Sequence, residues 1–353
     1  MNDGSGTTDS TKGKLLYISK RADAASTRYR IFQFFPALES KGWKCEYISA
    51  NNQSLWERLT FAFSCRRYSI VIIQRKLFDP LTLKLISLFN SNIVFDYDDA
   101  IFLNDNGSSS SRRSKRFSKT THLAKLSLAG NAYLASYSRS KKVDILPTSI
   151  PYERYSRKIQ CRENYVKQNF NSLNDRLVLV WIGSHSTQKY LESHRDIIEG
   201  IGEKFENLTL KIIGDFSITF KHINTQCIAW SAETEINELM TADIGIAPMD
   251  EDPWTKGKCA LKIIQYMACG LPVISSDTGA NAEIVVHNET GFLANDLTEW
   301  IGSIEKLQDA KLRLKLGENA LERVKEKYTV DIQAERMDDL FLSLLSDSHR
   351  SSL

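Results

Sequence analysis

The stretch from Pro248 to Val285 constrains the fold of this chain more than any other part of the sequence. The apolar run IGIAP at 244–248 is typical of a buried parallel strand. ALKIIQYMA at 260–268 predicts a largely buried helix ended by Gly270, and LPVISS at 271–276 predicts a second buried strand. Two strands joined by one helix form a right-handed crossover, with its ligand site at the carboxyl ends of the strands.

Three lysines cluster where this predicted helix begins: Lys256, Lys258 and Lys262. The first turn of a helix has unpaired N–H groups and the positive end of the helix dipole, so it attracts anions even without cationic side chains. We therefore predict that this stretch binds a diphosphate group.

Strands and helices alternate in two separate series along the chain. The first series begins with LLYIS at 15–19 and ends with NIVFDYDDAIF at 92–102, and the second begins with LVLVWIG at 177–183. This alternation predicts parallel sheets with helices on both faces. The fold class is therefore predicted to be α/β, with two Rossmann-like parallel-sheet domains facing across a cleft.

The polar segment 151–176 is where the apolar periodicity lapses, and we place the domain boundary there. AKLSLAGNAYLASYSR at 124–139 predicts a helix interrupted near Gly130. The predicted parts are a disordered tail at 1–13, an acceptor-side domain at 14–165, a donor domain at 166–328, and a C-terminal helix at 329–353 that crosses back to the first domain.

The segment 104–119 is rich in serine and lacks apolar periodicity, which predicts a flexible, solvated loop. Its five cations are Arg112, Arg113, Lys115, Arg116 and Lys119. Such a cluster favours contact with anionic lipid headgroups or an anionic acceptor, so residues 112–119 are predicted to touch an anionic membrane peripherally.

Composition excludes several classes of protein. The formal net charge is only +3, which gives no indication of nucleic-acid binding. The sequence has neither a secretory leader nor an apolar run of membrane-spanning length, so we expect a cytoplasmic protein. Its six cysteines are scattered without metal-ligand spacing, and we expect neither a metal site nor disulfides.

The residues from 248 to 285, with NETGFLA and Trp300 after them, resemble the nucleotide-sugar-binding half of GT-B glycosyltransferases. The similarity is to the retaining type called glycosyl transferases group 1. VLVWIGSHST resembles the first strand and loop of that donor domain. In the N-terminal half, ASTRYRIFQFFPALESKGW and IVFDYDDAIF resemble a polysaccharide-biosynthesis branch of the group, so the likeness extends over nearly all of 14–330.

This resemblance implies a hexosyltransferase-type enzyme that moves a sugar from a nucleotide-diphosphate sugar to a glycan or lipid-linked acceptor. It further implies retention at the anomeric carbon, no bound metal, no tightly bound cofactor, and a role in cell-surface polysaccharide or glycolipid assembly. The predicted donor-binding residues are Gly183, Ser184, Thr187, Lys258, Lys262, Gln265 and Glu283. Lys262 is also predicted to be catalytic, because a cation offsets the charge that develops on the leaving diphosphate.

The chain departs from the group at two positions. Many members have two glutamates separated by seven residues, and the corresponding positions are Gly257 and Gln265. Gln265 can still hydrogen-bond a ribose hydroxyl, whereas Gly257 offers no side chain. Two alternatives therefore stay open: a nucleotide-sugar epimerase on the same fold, or a non-catalytic protein that binds nucleotide sugars.

Three carboxylates, Asp96, Asp98 and Asp99, end the strand at 92–102. Their mutual repulsion has to be compensated, which favours a functional site over chance placement. Asp98 falls roughly where the resembled group commonly has a sugar-contacting histidine, and this resemblance implies that Asp98 is catalytic and contacts hydroxyls of the donor or acceptor, with Asp96 and Asp99 beside it. A divalent cation is the functional alternative because Asp-x-Asp suits a hard metal ion, and capping of the next segment is the structural one.

Arg28 and Arg30 lie in STRYR, on the helix after the first predicted strand. We predict that both face the cleft and bind a phosphate of the donor or the acceptor, because the guanidinium fork matches phosphate oxygens. Surface ion pairing is the alternative for both residues.

Overall fold

The computed structural model describes residues 11–50, 55–104, 106–169 and 176–350. The chain divides into two compact units. One unit runs to Thr148 and takes in the chain again from Val330, and the other is Ser149–Thr329. Of the predicted disordered tail at 1–13, residues 1–10 lie outside the described residues. Gly13 already begins a strand.

Twelve strands build two sheets, six strands in each. In chain order they are β1 (Gly13–Ser19), β2 (Trp43–Ser49), β3 (Ile70–Gln74), β4 (Ile93–Tyr97), β5 (Leu126–Ala129), β6 (Lys142–Ile145), β7 (Leu177–Ile182), β8 (Leu208–Gly214), β9 (Asn224–Ala229), β10 (Ile244–Ala247), β11 (Val273–Ser275) and β12 (Gly291–Leu293).

The helices number sixteen in the described part of the chain, besides short 3-10 turns. They are α1 (Ala25–Arg30), α2 (Phe35–Ser40), α3 (Leu55–Ser64), α4 (Pro80–Phe89), α5 (Ser111–Leu123), α6 (Ala132–Ala135), α7 (Tyr152–Ser156), α8 (Ile159–Asn169), α9 (Lys189–Ser193), α10 (Arg195–Lys204), α11 (Glu235–Met240), α12 (Leu261–Ala268), α13 (Gly279–Ile284), α14 (Leu297–Leu307), α15 (Ala310–Lys327) and α16 (Val330–Arg350).

Every strand pair within the two sheets is parallel. The first unit has the order β2-β1-β3-β4-β5-β6, and the second has β12-β11-β10-β7-β8-β9. In register, Leu16 pairs with Val71 in the first sheet and Leu179 pairs with Ile244 in the second. This doubly wound arrangement is the predicted α/β class, and it places the loops after β3 and β4, and those after β7 and β10, at the carboxyl edges of their sheets.

The C-terminal helix α16 packs within the first unit. Its Met337 and Phe341 are buried in the same apolar cluster as Trp43 of β2, and Trp43 donates its indole N–H to Asp338 over 2.8 Å. The boundary between the units falls at 148–149, not at 165, because α7 and α8 pack in the second unit. Arg162 of α8 donates to the carbonyl oxygen of Ala242 there.

The helix predicted at 124–139 is wrong over Leu126–Ala129, which forms the strand β5. All four residues of β5 are buried. A run as short as LSLA does not show by its period alone whether it is strand or helix.

The flexible loop predicted at 104–119 is also wrong from residue 111 onward, where α5 begins. Ser110 caps the helix by accepting a hydrogen bond from the backbone N–H of Arg113 at 3.4 Å. The buried face of α5 consists of Phe117, Thr120 and Thr121. Two of these three are threonines, which is why a search for apolar periodicity missed the helix.

No helix in the described residues is long and apolar enough to cross a membrane.

Candidate functional site

The loop after β7 brings three predicted donor-binding residues together. Gly183 donates its N–H to the carbonyl oxygen of Ile213 over 3.0 Å. A Cβ atom at Gly183 would overlap the ring of Trp181 and Oγ1 of Thr187, so only glycine fits. Thr187 Oγ1 accepts the N–H of Ser184 at 3.1 Å and closes the loop into a 3-10 turn.

The helix α12 begins at the carboxyl end of β10 with an unusual residue. Ala260 precedes the helix with φ of 48° and ψ of 37°, a left-handed conformation that disfavours residues with a Cβ. Ala260 has no polar side chain and gives α12 no side-chain cap. The first N–H groups of α12 are thus not occupied by a capping residue, as an anion site at a helix N-terminus requires.

Lys262 of α12 packs on Trp181, a residue of β7. Its ammonium group lies 4.0 Å from the centroid of the Trp181 ring. Trp181 is fully buried, while Lys262 retains partial exposure. Burial, and second the charge of Lys258, lowers the pKa of Lys262 from 10.5 to about 7. Within the described residues, no carboxylate pairs with Lys262.

The other two lysines differ in their surroundings. Lys256 pairs with the carboxylate of Glu251 at 2.7 Å, and Lys258 lies 4.6 Å from the centroid of the Trp254 ring. Lys256 is therefore neutralised locally. Lys258, which precedes α12, and Lys262, in its first turn, both lie against aromatic rings.

Gln265 and Gly257 stand where the resembled group has glutamates. Gln265 is only 4% exposed. Its neighbour Tyr266 accepts the N–H of Ile182, the last residue of β7, at 2.8 Å. Gly257 is buried in a 3-10 turn. Gly279, at the start of α13, lies against this turn, since a Cβ atom added to Gly279 would be 3.0 Å from Cα of Lys256. The turn around Gly257 is thus closely covered by backbone.

Glu283 lies near the end of α13 and is exposed. Its carbonyl oxygen accepts a hydrogen bond from Arg323 of α15 at 2.9 Å, and that of Ile284 accepts another at 2.8 Å. These bonds fix the backbone of α13 against α15. A contact between Glu283 and the donor stays a prediction.

Arg30 and Asp96 form a buried ion pair in the first unit, with 2% and 3% of each residue exposed. Arg30 Nε donates to Asp96 Oδ2 over 3.1 Å, and Nη1 donates to the carbonyl oxygen of Leu146 over 2.7 Å. Burial raises the pKa of Asp96, and Arg30 acts in the opposite direction. Arg30 and Asp96 are thus paired with each other, and their contact with a ligand stays a prediction.

Arg75 holds the other two carboxylates of this strand end, and the sequence analysis missed it. Its Nη2 lies 2.7 Å from Asp99 Oδ2, and its Nε lies 3.6 Å from Asp98 Oδ1. Arg75 directly follows β3, with φ of 55°. The sequence could have indicated Arg75, because it is a polar residue directly after the buried strand β3. That strand pairs with β4, which carries the aspartates.

Arg28 packs on its sequence neighbour. Its guanidinium carbon lies 4.7 Å from the centroid of the Tyr29 ring, and Nη2 donates to Tyr29 Oη over 3.3 Å. Its predicted phosphate contact is untested.

Two buried polar atoms at the same edge of the first sheet have no hydrogen-bond partner in the described part of the chain, Tyr17 Oη and Gln74 Nε2. Gln74 stands in register with Asp96. The edge formed by β1, β3 and β4 thus combines carboxylates, a guanidinium and unused donors, a set suited to hydroxyl groups.

No group of three or more His, Cys, Asp or Glu side chains suited to a metal ion occurs among the described residues.

Comparison with known proteins finds a family match within the second unit. Residues 176–310 match the family model described as glycosyl transferases group 1. Over these residues the chain is similar to that family. The matched residues span β7 to the start of α15, and so contain both the Gly183 loop and α12.

Curated relatives match this chain over part of their length. An uncharacterized glycosyltransferase of Methanocaldococcus jannaschii is 27% identical over 192 residues, which cover 47% of this chain and 54% of the relative. The N-acetyl-alpha-D-glucosaminyl L-malate synthase of Bacillus anthracis is 24% identical over 136 residues, which cover 37% and 34%. The capsular polysaccharide biosynthesis glycosyltransferase CapM of Staphylococcus aureus is 22% identical, covering 63% and 61%. The matched segments thus span about a third to three fifths of these relatives.

Solved structures show the same fold. HepE of Anabaena in complex with UDP and glucose has a TM-score of 0.67 at 14% identity, and the match covers 94% of this chain and all of that one. WaaG, a glycosyltransferase involved in lipopolysaccharide biosynthesis, has a TM-score of 0.62 at 14% identity, with 94% and 97% covered. The fold of this chain is therefore GT-B.

Proposed function

We propose that this chain transfers a sugar from a nucleotide-diphosphate sugar to a glycan or lipid-linked acceptor. The observation that carries the proposal is Lys262, a partly exposed cation without a carboxylate partner in the described residues, 4.0 Å from the Trp181 ring. It stands in the first turn of α12, whose N-terminus has no side-chain cap and also favours an anion.

The proposed role of this region is to bind the donor diphosphate and to stabilise it as it leaves. Breaking the bond between the anomeric carbon and the diphosphate leaves negative charge on phosphate oxygens. Lys258, Lys262 and the N–H groups of α12 would lower the barrier most if they are in place before the reaction. Gly183, Ser184 and Thr187 would let backbone approach the phosphates, and Gln265 would hydrogen-bond the ribose.

In the first unit, Asp98 is proposed to contact a hydroxyl of the donor sugar or the acceptor, with Asp99 beside it and Arg75 orienting both. Arg28 is proposed to bind an acceptor phosphate, and Glu283 in the second unit to contact the donor. Retention at the anomeric carbon and independence of metal belong to this proposal, as does work in the cytoplasm on a surface polysaccharide or glycolipid. The names of CapM and WaaG support that role.

Release of nucleoside diphosphate from UDP-, GDP- and dTDP-sugars, with sugar acceptors and lipid-linked acceptors, tests the proposal. We expect release with one donor class, unchanged by a chelator, and an α-linked product from an α-linked donor by NMR. The variant K262A should bind that donor about 1–3 kcal/mol more weakly, whereas K315A, which alters an exposed lysine on α15, should bind it unchanged.

Three outcomes would refute parts of the proposal. Conversion of the donor sugar to its epimer without an acceptor would identify an epimerase. Calorimetric binding of a nucleoside diphosphate without turnover by any donor would identify a binding protein. Loss of activity with the chelator, restored by a divalent cation, would overturn metal independence.

A further inference from the structure

Six large apolar side chains are exposed on three helices of the first unit, α3, α4 and α5. In order of exposure they are Trp56 at 79%, Leu88 at 69%, Leu81 at 51%, Phe63 at 43%, Leu123 at 39% and Phe89 at 37%. These are half of the exposed large apolar side chains in the described residues. Such a concentration marks an interaction surface.

The three helices form one continuous surface. The rings of Phe63 on α3 and Phe89 on α4 lie 5.3 Å apart, and Arg58 of α3 pairs with Asp79, the cap of α4, at 3.1 Å. On the other side of α4, Arg116 of α5 donates to the carbonyl oxygen of Leu77 over 3.4 Å. We call this surface, made of residues 55–67, 79–89 and 111–123, the α3–α5 face.

The α3–α5 face is strongly basic. It contains nine Lys and Arg residues against two carboxylates, Glu57 and Asp79, whereas the whole chain carries a net charge of only +3. On α5, Arg112, Lys115 and Lys119 are exposed and share one side of the helix at spacings of three and four residues. The rest of the protein is therefore net acidic, and the positive charge is concentrated on this face.

Apolar and cationic side chains are interleaved on the face. Trp56 and Phe63 are seven residues apart on α3 and share one side, and Arg66 lies 3.7 Å from the centroid of the Phe63 ring. On α4, Leu81, Lys84 and Leu88 share the exposed side. Cations around tryptophan and leucine side chains are the pattern of helices that lie in the interface of a membrane.

We infer that the α3–α5 face binds the surface of an anionic lipid bilayer. Trp56, Leu81 and Leu88 enter the interfacial region, while Lys84, Arg112, Lys115 and Lys119 contact the headgroups. Tryptophan settles at the level of the headgroups, and each cation near an anionic surface strengthens binding. A nucleic acid would not account for the exposed leucines, because they contribute nothing to its binding. A protein partner would not account for the cations spread over three helices, because protein interfaces do not require them.

This inference goes beyond the proposed transferase activity and does not depend on it. It bears on the acceptor, because a protein held at a lipid surface meets a lipid-linked acceptor in two dimensions. Lipid binding is measured without donor, and donor binding is measured without lipid, so either proposal can fail while the other stands.

Flotation of the full chain with lipid vesicles tests the inference. We expect binding to phosphatidylcholine vesicles that contain about 30 mol% phosphatidylglycerol and little binding to phosphatidylcholine alone. Salt at about 0.5 M should weaken the binding without abolishing it, because salt screens the charges and leaves the apolar contacts.

Two sets of variants separate charge from insertion. The triple variant R112Q/K115Q/K119Q should lower partitioning on the order of 100-fold, and W56S/L88S on the order of 10-fold. The control K204Q/K311Q/K315Q removes the same charge from exposed lysines of the second unit and should bind as the unaltered protein does. Brominated lipid should quench tryptophan fluorescence in the unaltered protein and much less in W56F.

Equal loss of partitioning in the control triple would show unspecific charge attraction and overturn the inference. So would strong quenching that persists in W56F, or binding to duplex nucleic acid without binding to anionic vesicles. Self-association through this face, detected by sedimentation and abolished by W56S/L88S without any lipid binding, would assign the face to a second copy instead.

Discussion

The ammonium group of Lys262 lies 4.0 Å from the centroid of the Trp181 ring, so a residue of α12 and a residue of β7 form one site from segments 81 positions apart. Burial, and second the charge of Lys258, lowers the pKa of Lys262, and the uncharged indole supplies no negative charge to compensate. A diphosphate would supply that charge.

The affinity for a nucleoside diphosphate should fall as pH rises above neutrality. The pKa of Lys262 is about 7 in the free protein, and a bound anion raises it because the anion favours the charged form. Below pH 7 the lysine is already protonated, whereas above pH 7 binding takes up one proton. We expect a decrease of up to about tenfold per pH unit.

Titration calorimetry in buffers of different ionisation enthalpy measures this proton uptake at about pH 8. The variant K262M should bind about 1–3 kcal/mol more weakly and take up no proton. Proton uptake that persists in K262M would assign the titration to another group.

The ionisation of Lys262 should make the free energy of unfolding rise with pH, whereas the affinity for the diphosphate falls with pH. Its pKa in the folded protein is lower than 10.5, so the unfolded chain binds more protons between pH 7 and pH 10.5, and stability rises with pH across that window. K262M should therefore be more stable than the unaltered protein by about 1 kcal/mol at pH 6. Urea denaturation at pH 6 and pH 9 should show this advantage shrinking at the higher pH, and an advantage that grows would contradict the prediction.

Ala260→Gly should stabilise the second unit. Ala260 has φ of 48°, where a Cβ costs about 1 kcal/mol relative to glycine. We expect the free energy of unfolding to rise by about that amount in urea denaturation. The control A282G, in the exposed part of α13, should lower it by roughly 0.5–1 kcal/mol, because glycine is unfavourable at helical φ. Destabilisation in A260G would show that the strain is absent.

Removing one partner of the Arg30–Asp96 pair should be costly. R30M or D96L leaves the other charge buried, which costs about 3–5 kcal/mol, whereas the double variant R30M/D96L should recover much of the loss. The free energies of unfolding of the two single variants and the double variant, measured in urea, form a complete cycle. Additive losses would mean that the two side chains are independent.

Arg75 and Asp98 should act as a unit in catalysis. D98N is expected to lower kcat on the order of 100-fold, and R75Q should lower it less. If Arg75 works by orienting Asp98, R75Q should have little further effect in the D98N background. The measurement is kcat and KM for the three variants, with unfolding in urea as a check of stability. Independent, multiplicative losses would remove Arg75 from that role.

Most secondary structure could be predicted locally, but two segments could not. Ten of the twelve strands lie in or next to runs that apolar content identifies without long-range information, as IGIAP and LVLVWIG show. Over β5 the sequence predicts a helix, because a run of four residues is too short for its period to separate strand from helix. Over the first part of α5 it predicts a loop, because threonines, not apolar residues, fill two of the buried positions of α5.

The sequence by itself determined the two parallel sheets, the glycine of the loop after β7 and the lysines where α12 begins, because strand alternation, a turn and a helix start are local features. Only the tertiary structure decided which charges meet. It buried Arg30 against Asp96, gave Asp98 and Asp99 to Arg75, and placed Lys262 on Trp181. A lysine in a sequence is only a cation; its burial in the folded chain, and second the charge of Lys258, lower its pKa to about 7.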